Sequence, residues 1–192
     1  MKAITAAVCA AIMLFQAAEL DASRSRQAAA GVPEDEAIAQ FHLALGGYLA
    51  LRRNLLTETS GPAPNSSAVQ LTDASDALAG AIQRARRSAS IGELFLPAVV
   101  AVVKRRVDAA VRRENLGPVL ATIDDEEPRV REPKLHMRFP GAAQMATMPG
   151  ALLAALPILP KELEYRIVGR YLVLRDVEAA LIIDYVADVI PR

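Results

Sequence analysis

The stretch KELEYRIVGRYLVLRDVEAALIIDYVADVI, Lys161 to Ile190, decides the fold. At its centre Leu163–Val168 and Tyr171–Asp176 flank Gly169-Arg170, a Gly-X pair suited to a two-residue type II′ turn. That turn fixes a register in which Val168 faces Tyr171, Ile167 faces Leu172 and Tyr165 faces Leu174. Side chains alternate between the faces of a strand, so Leu163, Tyr165, Ile167, Leu172 and Leu174 share one apolar face. The opposite face pairs Glu164 with Arg175 and sets Arg166 beside Val173. A slip of one residue would destroy both matches. The segment reads as a β-hairpin.

After the connection Val177-Glu178-Ala179, Ala180–Val186 reads as a third antiparallel strand. Its Leu181-Ile182-Ile183 run is apolar on both faces, as expected of a covered strand. A C-terminal helix is the alternative, since Val177, Ala180, Leu181, Tyr185 and Val189 also make a helical stripe.

Working outward, the 192-residue chain suits one domain or a compact body with a smaller appendage. Hydrophobic residues at 53% supply ample core, and with aromatics at 4% that core must be mainly aliphatic. Lys and Arg total 22 against 22 Asp and Glu, so no net charge draws the chain to nucleic acid or acidic membranes.

The N-terminus carries the marks of export. Lys2 is a minimal positive region and Ala3–Phe15 an apolar stretch of signal-peptide length. That stretch is shorter than the roughly 20 residues of a membrane-spanning helix. Residues 1–22 are therefore read as a signal peptide cut between Ala17 and Ala22, and 23–33 as a disordered lead-in. A buried or amphipathic N-terminal helix is the alternative. Cys9 falls inside the signal, too near Met1 for a lipoprotein attachment site, so the mature chain has no disulfide or cysteine nucleophile. Export without disulfides points to the periplasm or outside of a bacterial cell.

Residues 34–118 read as a helical region of about three helices. Pro33-Glu34-Asp35-Glu36 opens the first, with acids favouring the positive end of the helix dipole. Ile38, Phe41, Leu45, Leu49 and Arg52 fall on one face, and the helix ends near Leu56. Gly46-Gly47, each costing about 1 kcal/mol in a helix interior, imply another element packed closely against them. Thr57–Ser67 is a loop by composition. A second helix spans Val69–Ser88 with Leu71, Leu78 and Ile82 inward. Ser90-Ile-Gly-Glu93 is a capping-box pattern for a third, though Pro97 offers a later start. Its stripe is Leu96, Val99, Val100, Val103, Val107 and Val111, and Glu114–Pro118 closes it. Residues 119–133 read as a solvated linker and 134–192 as a small α+β region. In that region Lys134–Phe139 is a candidate first strand, Pro140–Thr147 is irregular, and a short helix runs from Met148-Pro149 through Leu156.

The segment LPILPKELEYRIVGRYLVLRDVEAALIIDYVADVIP, Leu156–Pro191, resembles the C-terminal end of a group of uncharacterised, signal-peptide-bearing bacterial proteins. AIQRARRSASIGELFLPAVVAVVKRRV, Ala81–Val107, and MRFPGAAQMATMPGALLAALP, Met137–Pro157, fit the same layout. The resemblance implies export and a fold that uses most of the mature chain. It implies no activity, ligand or catalytic residue.

The residues give few footholds for chemistry. His42 and His136 lack the H-E-x-x-H spacing that would put two ligands on one helical face, and both read as structural. Asp124–Glu127 lacks the alternating pattern of a calcium loop and reads as solvated. Glu162 and Glu164 share a strand face like a carboxylate pair, but strand pairing gives Glu164 a partner in Arg175. No nucleophile elbow, phosphate loop or dinucleotide fingerprint is present. The one charge asymmetry is a candidate binding face of Arg84, Arg86, Arg87, Lys104, Arg105, Arg106, Arg112 and Arg113, suited to weak contact with an anionic membrane surface. Aromatic residues for base stacking are missing there, which argues against nucleic acid.

The expectation is an α+β protein, an N-terminal helical part followed by a small antiparallel β-sheet with one short helix. It is expected to act in the cell envelope as a non-enzymatic interaction or structural module on an unknown protein partner, with no cofactor, metal or catalytic residue assigned. Two alternatives stand beside it: an envelope enzyme using Glu162, Glu164 and Arg166, or a peripheral membrane-binding module using the basic face.

Overall fold

The computed structural model describes residues 31–59, 66–126, 132–139 and 148–191. The expected signal peptide, Cys9, the lead-in up to residue 30 and the Pro140–Thr147 segment lie outside these residues. Four helices come first: α1 (Glu34–Thr59), α2 (Ala68–Ala85), α3 (Pro97–Glu114) and α4 (Gly117–Glu126). A short α5 (Gly150–Ala155) then leads to β1 (Leu163–Val168), β2 (Tyr171–Asp176) and β3 (Leu181–Val186). The protein is α+β, and its sheet is antiparallel in the order β1-β2-β3.

The hairpin has the expected register throughout, including Tyr165 opposite Leu174 and Glu164 opposite Arg175. Gly169 takes a positive φ and Arg170 does not, the pairing that separates a II′ turn from a I′ turn. The third strand is a strand, and the helical alternative falls. Its pairing with β2 contains a bulge: Arg175 faces Ile182 and Leu174 faces Asp184, which leaves Ile183 without a partner. A bulge resets alternation by one residue. Ile183 and Asp184 therefore both turn to the helix side, the side of Leu174.

The core lies between that side of the sheet and the helices. Phe41 and Leu45 of α1, Leu78 and Ile82 of α2, and Val99, Val103 and Val107 of α3 meet Tyr165, Leu174 and Ile183 there. Phe41 stacks on Phe95 at 5.5 Å between ring centroids, and Phe95 on Tyr165 at 6.3 Å. Full burial of each such ring contributes about 1.5–3 kcal/mol. A smaller cluster of Val168, Val173, Ile182 and Phe139 covers the other side.

Several expectations need correction. The linker at 119–133 is helical through Glu126, because Pro118 sits just inside the start of α4, where its missing N–H costs nothing. Lys134–Phe139 is no strand of the sheet. It makes one bridge, Arg138 to Leu181, after a turn in which His136 adopts a φ of 63°, which breaks the extended run. The Ser90–Glu93 pattern does not open a helix. Glu93 Oε1 does accept from the Ser90 N–H, but α3 starts at Pro97 with Leu96 as its N-cap. The complete capping box is at Ser67 and Gln70, opening α2. Leu71 is exposed, whereas Leu78 and Ile82 are buried as expected. Among the described residues no other element packs on Gly46 or Gly47, and a Cβ built on either meets nothing within 4 Å.

Candidate functional site

Burying a charge is costly unless it is paired and hydrogen-bonded, so the buried charges mark where the sequence spends polar chemistry. Asp176 and Asp184 are both 0% exposed, and Arg52 and Arg86 are nearly so. Asp176 closes β2 on the apolar side of the sheet, continuing the Leu172 and Leu174 stripe. Its Oδ2 accepts from the Tyr48 hydroxyl and from Arg52 Nε, both at 2.8 Å, and its Oδ1 from the Ala179 N–H at 2.9 Å. Arg52 also donates to Glu178 at 2.5 Å. Burial opposes the charge on Arg52, but Asp176 and Glu178 outweigh it and hold the guanidinium above its ordinary pKa. Burial and the Asp176 charge push the Tyr48 phenol up, so it remains a donor.

The bulge directs Asp184 at the turn before α3. Its Oδ1 accepts from Gly92 N–H and Tyr185 N–H at 2.8 Å, and its Oδ2 from Leu94 N–H at 2.8 Å and Phe95 N–H at 2.9 Å. Arg86 joins the two centres. It donates to the Ile183 carbonyl at 2.9 Å and to Glu93 at 3.1 Å, and its guanidinium lies 5.4 Å from the centroid of the Tyr48 ring. Every carboxylate oxygen of both aspartates accepts a hydrogen bond, and Asp176 Oδ2 and both oxygens of Asp184 accept from residues distant in sequence. The network's chemistry is attachment of helices to sheet.

The residues of the expected basic face differ in burial and pairing. Arg86 is interior, and Arg105 and Arg106 both pair with Glu34, whose carboxyl they hold below its ordinary pKa. Arg113 pairs with Glu114. Arg84, Arg87 and Arg112 are exposed and Lys104 half-buried, divided between the last turn and end of α2 and the length of α3.

Glu162 precedes β1 in a turn. Glu164 is bound by Arg175 and, at 2.6 Å, by Arg166. Burial raises the pKa of Glu164, and the two guanidinium groups overcome this and leave it lowered. A lowered folded-state pKa means stability present above the unfolded value and lost as pH falls from there through the folded one. Wild type is therefore expected to lose thermal stability below pH 4.5 more steeply than Glu164→Gln. Melting curves across that range would show the two proteins converging in acid. Parallel curves would remove Glu164 from the account.

His42 donates from Nε2 to the Ile158 carbonyl at 3.1 Å on the surface. Among the described residues His136 Nε2 is buried without a partner, and burial together with Arg86 lowers its pKa. Among the described residues no group of three or more His, Cys, Asp or Glu could hold a metal ion. No protein-family model, curated protein or solved structure matches the chain. Among the described residues no helix is long and apolar enough to cross a membrane.

The four network residues were legible only in part. Arg52 falls on the apolar stripe of α1, and Asp176 on the apolar face of the hairpin. A charge at an apolar-face position is a signal for buried pairing. Asp184 gives no such signal, because strict alternation assigns it to the side of Ile182.

Proposed function

We propose that the protein is a non-enzymatic interaction module of the bacterial envelope, acting after export. One observation carries the reading: the buried aspartates and arginines are hydrogen-bonded within the fold, while large apolar side chains stand outside. Leu43 is 79% exposed in the middle of α1, and Ile158 is 85% exposed. Ordered proteins expose single apolar residues routinely. His42, the residue before Leu43 in α1, binds the Ile158 carbonyl, so both exposed residues belong to the α1–Ile158 region. Exposed apolar surface of this kind marks contact with another macromolecule. The location rests on the charged and apolar start of the chain and on the resemblance of Leu156–Pro191 to exported proteins.

The test combines fractionation with in-cell cross-linking. The chain is expected in the periplasm with an intact mass that begins between Ala18 and Gly31. A photoreactive residue at Leu43 is expected to give an adduct, and one at the exposed Val119 on α4 is not. A full-length cytosolic chain would reject the location, and equal labelling at both positions would reject the surface.

A further inference from the structure

We infer that the outer face of α1 docks against the same face of a second copy, with the two helices antiparallel about a two-fold axis. This rests on the interaction reading above and names the partner. Glu36, Ala39, Leu43, Gly46, Ala50 and Arg53 recur at alternating spacings of three and four, and all six are exposed. Such spacing lines one side of a helix, and here it lies opposite the side that buries Ala37, Phe41, Leu45, Tyr48, Arg52 and Leu55.

The stripe is its own complement. A two-fold axis midway between Ala44 and Leu45 sets Glu36 against Arg53 of the second copy, Ala39 against Ala50, and Leu43 against Gly46. Each match occurs twice, as an isologous interface requires. In antiparallel helix pairs a protruding side chain fills the gap left by small residues opposite. Leu43 is the protrusion. Gly46 is the gap, with nothing within 4 Å of where its Cβ would be. Oppositely charged ends then close both edges of the contact, and reversed charge at either position would oppose pairing. A parallel arrangement would instead set Glu36 against Glu36 and Leu43 against Leu43.

The glycines gain a reason in this arrangement. Inside one chain Gly46 only weakens α1, since nothing packs over it. Across the two-fold axis it receives Leu43.

Sedimentation of the purified full chain tests the pairing. The wild type is expected to run at twice the monomer mass. Glu36→Arg alone and Arg53→Glu alone each replace two attractive contacts by two repulsive ones and weaken association on the order of tenfold. The two reversals together are expected to restore it. Gly46→Leu is expected to give a monomer with unchanged helical circular dichroism, because the space above Gly46 is open within one chain. A wild-type monomer at all concentrations, a dimer indifferent to the single reversals, or a double reversal that fails to rescue would each overturn the pairing. The Leu43 cross-link separates the two levels. An adduct with a different protein, on a monomeric chain, overturns self-pairing and leaves the interaction reading standing. A monomer without any adduct overturns both.

Discussion

An Asp176→Ala variant is expected to lose about 3–5 kcal/mol of stability, the cost of leaving a buried charge without its partner. The substitution removes the acceptor for Tyr48, Arg52 and Ala179 together. Arg52 would keep Glu178, which is partly exposed, and lose the carboxylate that is not. Domains of this kind are stable by about 5–15 kcal/mol in total, so the variant sits close to the edge of folding. Urea unfolding gives the measurement. A shift in midpoint equivalent to less than 1 kcal/mol would show that α1 is held to the sheet by its apolar contacts alone.

The second large effect belongs to Asp184→Asn, a change that preserves shape. Each carboxylate oxygen of Asp184 accepts two backbone N–H groups. An amide replaces one oxygen by an NH₂ group, which then points donors at donors. Each buried N–H left without an acceptor costs about 1–3 kcal/mol, and two are affected. The expected loss is roughly 2–6 kcal/mol, with hydrogen exchange fastest at Gly92, Leu94 or Phe95. Protection that stays unchanged at those amides would show that the turn before α3 is fixed by other contacts.

These two residues also show what could be read before the fold was known. Register and turn type of the hairpin follow from Gly169 and from the alternation of Leu163 to Leu174, because period-two patterning beside a two-residue turn permits one solution. Asp176 was equally readable as a charge in an apolar position, and Arg52 as its counterpart on the helical stripe. That they meet was not readable, because 124 residues separate them and pattern carries no information on long-range pairing. Asp184 escaped for a different reason. The bulge at Ile183 shifts the alternation, and nothing in Leu181-Ile182-Ile183 marks which residue will be left unpaired. The Gly46-Gly47 pair was read as a site of close packing, and within one chain the space over it is open. The same local preference for a helix that α4 follows was masked by Pro118 and the acids near it.

The two buried aspartates also set an order of assembly. Asp176 lies 124 and 128 residues beyond Arg52 and Tyr48, and Asp184 lies 89 to 92 residues beyond the turn it holds. Until the last two strands have left the ribosome, Arg52 and the amides of Gly92, Leu94 and Phe95 lack their aspartate acceptors, and Arg86 has Glu93 without the Ile183 carbonyl. Closing such long loops is entropically late work. The helical half is thus unable to reach its mature packing ahead of the sheet, and the chain stays loosely held until its C-terminal strands arrive. A chain that must be threaded through a narrow opening before it folds would have that delay written into its own topology.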